Sequence, residues 1–330
     1  MALSKPTGQR VRKRSRRASC RDADVVRDSF VRTVEELMRV DDEVVLITAD
    51  LGFGIFNKLV AQFPRRFVNV GVAEQNMVGV ATGMALEGWT VFAYSIGNFP
   101  TLRCLEQIRN DAAYHEVNVN VVCSGGGFTY GALGMSHHAT EDLSIMRSLP
   151  GVTVVAPCDA YESQEATKAL ARRPGVGYLR IEKDVPIATE RTGGPFEIGR
   201  ARTLRQGADI CILAAGGVAA EGLAAATRLE ELGISATVAS MHTLNPLDDG
   251  YILEAVRNHT ALVTLEENTI HGGLGGAVSE VIAEAGIATR FKRLGLPGVY
   301  SSIVGDQAYL RERYGVSASA VVETARKLLH

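Results

Sequence analysis

The stretch from Phe67 to Gly88 is FVNVGVAEQNMVGVATGMALEG, and the fold prediction starts there. Its first residues are apolar and predict a short strand, which a glycine turn at Gly71 separates from a long apolar segment with helical spacing. Glu74 stands at the start of this predicted helix. A carboxylate in that position either caps free backbone N–H groups or belongs to a binding site, and the pattern alone leaves both roles open.

Small residues recur along the predicted helix, at Gly79, Ala81, Gly83 and Ala85. A glycine inside a helix costs about 1 kcal/mol relative to alanine. Their presence therefore predicts close backbone packing of this helix against another element or another subunit.

Length and composition predict a cytoplasmic α/β protein with two domains. The chain has 330 residues, of which 46% are hydrophobic and 22% charged, and it has no apolar run of the roughly 18 to 20 residues that span a bilayer. The cysteines show neither CxxC pairs nor metal-ligand spacing, so we expect no metal site and no disulfide framework. They are Cys20, Cys104, Cys123, Cys158 and Cys211.

The net charge of −2 conceals a basic segment near the amino end. Residues 10–21 contain seven basic residues and no acidic one. Such a segment can bind nucleic acid or anionic lipid, but no aromatic residues are interleaved with basic ones further along the chain. We therefore predict a disordered tail over residues 1–22 and no nucleic-acid partner.

Strand and helix patterns alternate through the rest of the chain. In the first half, a predicted helix (25–39) precedes a strand (44–49), and further strands are predicted at 90–94 and 118–123. In the second half, strands at 210–214, 235–239 and 261–266 alternate with helices at 219–232 and 251–256. This alternation predicts two doubly wound domains with mostly parallel sheets, at residues 23–190 and 191–330, joined by a turn-rich linker at 184–195.

Two further segments have the composition of a ligand site. Asp50 follows the predicted strand at 44–49, and the carboxyl ends of strands line the ligand crevice in open α/β sheets, although an aspartate there can equally serve as a turn former. The segment from Ser124 to Thr140, SGGGFTYGALGMSHHAT, is a long glycine-rich loop that ends in a histidine pair. Loops of this length inside a domain are usually functional.

Four strings together resemble the transketolase family of thiamine-diphosphate enzymes. They are ITADLG, NVGVAEQNMVGVATGMALEG, the EQIRN segment near residue 108, and SHHATEDLSIMRSLPGVTVVAP. The order of the second half, including LNPLDD and LEENTIHGGLGGAVSE, resembles the C-terminal domain of the same family. The resemblance implies a pyrimidine-binding domain followed by a transketolase C-terminal domain.

The resemblance also implies roles for particular residues. Glu74 would bond the aminopyrimidine ring of the cofactor and act in catalysis, and His137 would lie beside the reacting carbon. Asp50 would lie near the cofactor rings, and Leu51 would hold the cofactor in its bent form. The ring would pack between Phe99 and Ile96. Ile96 stands where the family has another aromatic residue, and isoleucine cannot stack on the ring as an aromatic side chain does, so weaker cofactor binding is expected.

Substrate contacts are implied for four residues, which are Arg27, His137, His138 and Arg180. Departures from the family pattern argue against an ordinary sugar-phosphate substrate, but Arg27 and Arg180 match positions that meet the phosphate in the family, which leaves an anionic substrate open. Gly54, Gly125 and Leu133 stand where sugar-phosphate transketolases have a serine, a histidine and an aspartate. An unphosphorylated or nucleotide-linked keto sugar, or another aldehyde, is therefore an alternative acceptor.

The family's diphosphate-binding motif, GDG, is missing, and the nearest string is VGDQ at residues 304–307. Mg²⁺ needs hard oxygen ligands from the protein together with the phosphates of the cofactor. We therefore expect a separate N-terminal transketolase subunit with the GDG motif to hold Mg²⁺ or Ca²⁺ and the diphosphate, in an α2β2 assembly.

The implied activity is transfer of a two-carbon ketol unit from a ketose to an aldehyde or keto-sugar acceptor. Two alternatives remain at this point. The chain can be the β subunit of a 2-oxo acid dehydrogenase or decarboxylase, or a non-catalytic scaffold on the same fold.

Overall fold

The computed structural model describes residues 25–182 and 195–330. The predicted basic tail lies outside the described residues, and so does the predicted linker apart from Pro195. The domain boundaries near residues 22 and 190 fall in the same two segments, so they stay predictions.

Residues 25–182 contain six strands and seven α-helices, with a π-helical turn (Ile108–Ala113) and a 3₁₀ turn (Gly131–Leu133). Its elements, in order, are α1 (Val26–Val40), β1 (Val44–Thr48), α2 (Asn57–Gln62), β2 (Phe67–Asn69), α3 (Glu74–Leu86), β3 (Thr90–Ile96), α4 (Asn98–Leu102), α5 (Leu105–Gln107), β4 (Val119–Ser124), α6 (Asp142–Arg147), β5 (Thr153–Val155), α7 (Ala160–Arg172) and β6 (Gly177–Ile181).

The described residues after 194 contain six strands, five α-helices and a 3₁₀ turn (Gly216–Val218). The elements, in order, are β7 (Arg202–Arg205), β8 (Ile210–Ala215), α8 (Ala219–Glu230), β9 (Ala236–Ser240), β10 (Thr243–Asn245), α9 (Asp249–Asn258), β11 (Ala261–Thr269), α10 (Leu274–Glu284), β12 (Arg290–Leu296), α11 (Gln307–Arg313) and α12 (Ala318–Leu329).

The strands form two mostly parallel sheets, which confirms the predicted α/β class. The first sheet has the order β10-β5-β6-β4-β3-β1-β2, and the second has the order β12-β11-β8-β9-β7. Of the strands in the described ranges, only β10 and β7 run antiparallel to their neighbours. Strand β10 comes from the second half of the chain but pairs with β5 of the first sheet, so the two halves share one sheet.

The core continues from one sheet to the other. One apolar cluster joins Met77 of α3 and Val121 of β4 to Leu213 of β8 and Leu274 of α10. A second cluster packs α1, α2 and α7 on the far face of the first sheet, and a third packs α8 and α12 on the second. Helices thus cover both faces of each sheet, as buried parallel strands require.

A buried charged cluster also joins the two halves. Glu182 follows β6 and Glu267 lies on β11, and both accept hydrogen bonds from Arg311 Nη2 of α11, at 3.3 and 2.8 Å. Gln307 Nε2 donates to the same two carboxylates. Burial, followed by the nearby charge of Glu267, raises the pKa of Glu182.

Among the described residues, no helix has the length and apolar character needed to cross a membrane. The cytoplasmic location stays a prediction.

Candidate active site

The carboxyl ends of β1, β3 and β4 lie side by side at one edge of the first sheet. Thr48 is in register with Tyr94, and Ile96 with Ser124. Since Asp50 follows β1 and the glycine-rich loop follows Ser124, the two segments predicted from the sequence meet at this edge. It is the edge at which open α/β sheets bind ligands.

A side-chain amide holds the turn after β1. Asp50 has a left-handed backbone conformation, with φ of 56°, which aspartate tolerates better than most residues because its short polar side chain bonds locally. Its backbone N–H donates to Asn69 Oδ1 at 2.9 Å, and Asn69 Nδ2 donates to Asp50 Oδ1 at 3.3 Å. The next residue, Leu51, accepts a hydrogen bond from the Thr48 hydroxyl at 3.2 Å through its carbonyl oxygen. Asn69 therefore fixes the position of Asp50.

Glu74 is the first residue of α3 and is 3% exposed. Arg103, which follows α4, donates from Nη1 to Glu74 Oε2 at 2.8 Å. The same guanidinium lies over the Phe99 ring, 4.6 Å from the ring centroid. The Arg103 side chain is 51% exposed, so a buried carboxylate is paired with a cation that reaches it from the surface.

Phe99 also contacts His137 of the glycine-rich loop. Their ring centroids are 5.3 Å apart in an edge-to-face arrangement, a geometry that aromatic pairs favour. Asn98 Nδ2 donates to the His138 carbonyl oxygen at 2.5 Å. A Cβ at Gly97 would lie 2.9 Å from the Ala139 Cβ. Helix α4 and the end of the loop therefore approach closely. Arg103 contacts Glu74 and Phe99, and Phe99 contacts His137, so these residues form one connected group.

His138 and Arg180 support this loop from inside. His138 is 2% exposed, with Nε2 3.1 Å from the Gly131 carbonyl oxygen. Arg180 is 3% exposed and donates to the carbonyl oxygens of Ala139 and Glu267. A Cβ at Gly126 would lie 1.9 Å from Arg180 Nε, so a glycine is required where this side chain passes. The predicted substrate contacts of His138 and Arg180 stay predictions.

Two other predicted residues lie apart from the Glu74 group. Ile96 ends β3 at the same edge of the sheet and is partly exposed. Arg27 lies on α1, with Nη2 3.0 Å from Asp28 Oδ1. The contacts of the described residues do not join Arg27 to Glu74, and its substrate role stays a prediction.

The described residues offer one set of three possible metal ligands, Cys158, Asp159 and Glu162. Arg202 pairs with Asp159 and lies with Nε 3.0 Å from Glu162 Oε1. A guanidinium already neutralises these carboxylates, so the set does not suit a cation.

A cavity of about 480 Å³ lies at the opposite end of the first sheet. Its lining includes Glu116, Gly151 and Gly175, which precede β4, β5 and β6. Because it faces the amino ends of these strands, we do not assign it to the site.

Three residues of the candidate site were not predicted from the sequence: Asn69, Asn98 and Arg103. Only Arg103 had a usable signal, since it follows Phe99 by four residues, the spacing at which two residues share one face of a helix. The amides act through contacts with distant loops, which no local pattern indicates.

Two family models match this chain. Residues 25–185 match the model of the transketolase pyrimidine binding domain, and residues 199–321 match the transketolase C-terminal domain. A putative transketolase C-terminal section from Methanocaldococcus jannaschii is 37% identical over 301 residues, covering 90% of this chain and 94% of that protein. The chain therefore belongs to the transketolase family.

Two further similarities concern enzymes built from separate subunits. An apulose-4-phosphate transketolase subunit of Phocaeicola vulgatus is 34% identical, covering 91% of this chain and 96% of that protein. A solved structure named "Split gene transketolase, inactive beta4 tetramer" superposes with a TM-score of 0.84 at 34% identity, covering 93% of this chain and 99% of that one.

The Glu74 group has the chemistry to hold a flat heterocycle. A buried carboxylate can accept a hydrogen bond from a ring, and a partly buried aromatic side chain offers a face for packing. The site therefore fits the pyrimidine end of thiamine diphosphate. The diphosphate end and its metal ion find no matching ligand set among the described residues.

Proposed function

We propose that this chain is the C-terminal subunit of a split, thiamine-diphosphate-dependent transketolase. With an N-terminal subunit, it transfers a two-carbon ketol unit from a ketose donor to an aldehyde or keto-sugar acceptor. The observation that carries the proposal is the group of Glu74, Phe99 and His137, joined through Arg103 at the carboxyl edge of the pyrimidine-binding domain.

Each residue has a proposed task. Glu74, at the amino end of α3, shares a proton with a ring nitrogen of the aminopyrimidine through its carboxyl group. Phe99 and Ile96 pack on the ring, Leu51 holds the bent form, and Asp50 lies near the rings. Thiamine diphosphate, when bound, supplies the carbon nucleophile that breaks and forms the C–C bond.

His137 and three further residues are proposed to handle the substrate. His137 reaches the site from the glycine-rich loop, and an imidazole there can donate a hydrogen bond to a substrate oxygen that becomes negative. Arg27, His138 and Arg180 are proposed to contribute contacts to an anionic or keto-sugar substrate. Arg180 would do so only after a change in the loop, because its hydrogen bonds now go to backbone oxygens.

A partner subunit is proposed to complete the site. The N-terminal subunit would carry the GDG motif and hold Mg²⁺ or Ca²⁺ with the diphosphate, in an α2β2 assembly. The similar solved structure is named as an inactive tetramer of β chains. That description supports the proposal that this chain is inactive without its partner.

Reconstitution of the full chain with an N-terminal transketolase subunit tests the proposal. We expect ketol transfer only when both chains, thiamine diphosphate and Mg²⁺ are present. Glu74→Gln should lower turnover by about 10²-fold or more, since positioned proton-transfer groups contribute about 10² to 10⁴. Glu87→Gln, an exposed residue at the other end of the same helix, is the matched control.

A panel of donors separates the alternatives. Ketose donors with aldehyde acceptors should react, whereas turnover restricted to 2-oxo acids would favour a dehydrogenase or decarboxylase subunit. Turnover by this chain alone, or a fully active Glu74→Gln complex, would contradict the proposal. No cofactor binding by the complex would favour a scaffold.

A further inference from the structure

Arg103 contacts both of the side chains that the proposed function assigns to the aminopyrimidine ring. Its Nη1 lies 2.8 Å from Glu74 Oε2, and its guanidinium carbon lies 4.6 Å from the Phe99 ring centroid. A guanidinium is flat and carries hydrogen-bond donors. It therefore satisfies the same carboxylate and the same kind of ring face that a flat heterocycle with a donor group would use.

Glu74 requires a partner whether or not a ligand is bound. The residue is 3% exposed, and a buried charge without a hydrogen-bonding partner is strongly unfavourable. In the described part of the chain, Arg103 is the cation paired with it. Arg103 can thus keep Glu74 satisfied until another donor replaces it.

Arg103 is held loosely enough to move. Half of its side chain is exposed, so the guanidinium can rotate outward into water, where its charge is solvated. An ion pair with one exposed member and a cation–π contact at the surface are both weak. The residue also follows the short helix α4, and its described side-chain contacts are those with Glu74 and Phe99.

We propose that Arg103 is a positioning residue that competes with the cofactor, as a displaceable counter-ion of Glu74. The inference depends on the proposed function. The guanidinium holds the Glu74 carboxylate and covers the Phe99 ring, and the aminopyrimidine takes over both contacts as the guanidinium turns outward. Arg103 therefore weakens cofactor binding while it preserves the buried carboxylate.

Affinity measurements on the assembled complex test this competition. Thiamine diphosphate is titrated calorimetrically, at saturating Mg²⁺, into cofactor-free complexes with wild-type chain, Arg103→Gln, Arg103→Lys and Arg109→Gln. We expect Arg103→Gln to bind the cofactor roughly 3- to 10-fold more tightly, since the contacts of the half-exposed guanidinium are worth about 1 kcal/mol. Arg103→Lys should have an affinity between those of wild type and Arg103→Gln, because it keeps the cation but lacks the flat guanidinium. Arg109→Gln, exposed on the neighbouring π-helical turn, should change nothing.

A second measurement uses only wild-type chain, in case the variant fails to assemble. An arginine-selective dicarbonyl reagent is applied to the complex with and without thiamine diphosphate, and modification of Arg103 and Arg109 is followed by mass spectrometry. Displacement predicts that the cofactor increases the modification of Arg103 relative to Arg109. An unchanged or weakened affinity of Arg103→Gln, or protection of Arg103 by the cofactor, would overturn the inference.

The two proposals fail in different ways. If the wild-type complex neither binds thiamine diphosphate nor transfers a ketol unit, the proposed function is wrong. If the wild-type complex does both and Arg103→Gln does not bind more tightly, only the role of Arg103 is wrong.

Discussion

Arg202 shows how one side chain can join the two halves of the chain. It lies on β7 and is 4% exposed. It pairs with Asp159, the N-cap residue of α7, and its Nε lies 3.0 Å from Glu162 Oε1. All three groups are buried, so this guanidinium compensates the charge of both carboxylates where water cannot.

Loss of the Arg202 guanidinium should strongly destabilise the fold. We expect Arg202→Met to lower the free energy of unfolding by about 3–5 kcal/mol, because it removes the cation that pairs with two buried carboxylates. Arg205→Met is the matched control on the same strand. Its ion pair with the exposed Glu230 should contribute at most about 1 kcal/mol. Chemical denaturation of both variants checks this, and equal effects would contradict it.

At single residues, the sequence provided candidates for the site but not their contacts. The family strings led to Glu74, Phe99 and His137, and the structure joins these three through Arg103. They could not show that Arg103 lies between them, because a motif does not specify the rotamer of a long side chain. They also could not show that Arg180 is buried under the glycine-rich loop, since that depends on Glu267 of the second sheet.

The described part of the chain leaves one face of helix α3 uncovered. Gly79 and Gly83 are exposed, and a Cβ added at either would have no neighbour within 4 Å. The small residues of this helix predict close packing against another element or another subunit. Since no described element covers these glycines, packing against another subunit remains as the prediction.

Alanine at Gly83 should stabilise the isolated chain. We expect Gly83→Ala to raise the free energy of unfolding by about 0.5–1 kcal/mol, because alanine has the higher helix propensity and its Cβ would lie in open space. Gly275→Ala on α10 is the contrasting variant, since its Cβ would lie 2.8 Å from Thr264 Oγ1. Denaturation at low protein concentration measures both, and a loss of stability in Gly83→Ala would mean that the face is already covered.

At the scale of elements, the segments predicted from the sequence agree with the structure, but other elements, such as α7 and α12, were not predicted. The predicted helix at 25–39 is α1 (Val26–Val40), and the predicted strand at 210–214 is β8 (Ile210–Ala215). Strands β5 and β10, each of three residues, were missed, whereas β2, of the same length, was predicted because a glycine turn and an apolar helical segment follow it. Three residues alone are too few to show a period, and β10 is a strand only because β5 offers it a partner.

For the whole molecule, the buried cluster between the halves should make stability depend on pH. The pKa of Glu182 is raised by burial and then by Glu267. The folded state therefore retains a proton that the unfolded state has already lost above its ordinary pKa near 4.5. Stability from this group is present at low pH and falls as the pH rises through the interval up to the raised pKa.

Glu182→Gln should reduce the loss of stability that occurs as the pH rises. We expect the variant to lose less unfolding free energy than wild type as the pH rises above the ordinary pKa of 4.5, because the glutamine has no proton to release. Glu280→Gln should change the pH dependence of stability in the opposite direction. A hydrogen bond from Arg147 lowers the Glu280 pKa, so the stability that Glu280 contributes is lost at acid pH. Urea midpoints across pH measure both, and parallel curves for wild type and Glu182→Gln would refute the prediction.

Strand β10 determines where this polypeptide can be divided. A cut between residues 182 and 195 would separate the two regions matched by the family models, but it would also remove the outermost strand of the first sheet. The amino-terminal fragment would then present β5 as a bare edge, with backbone groups open to pairing with other chains. An isolated pyrimidine-binding domain should therefore include residues 243–245 as a grafted strand. Without that strand, we expect the fragment to aggregate through β5.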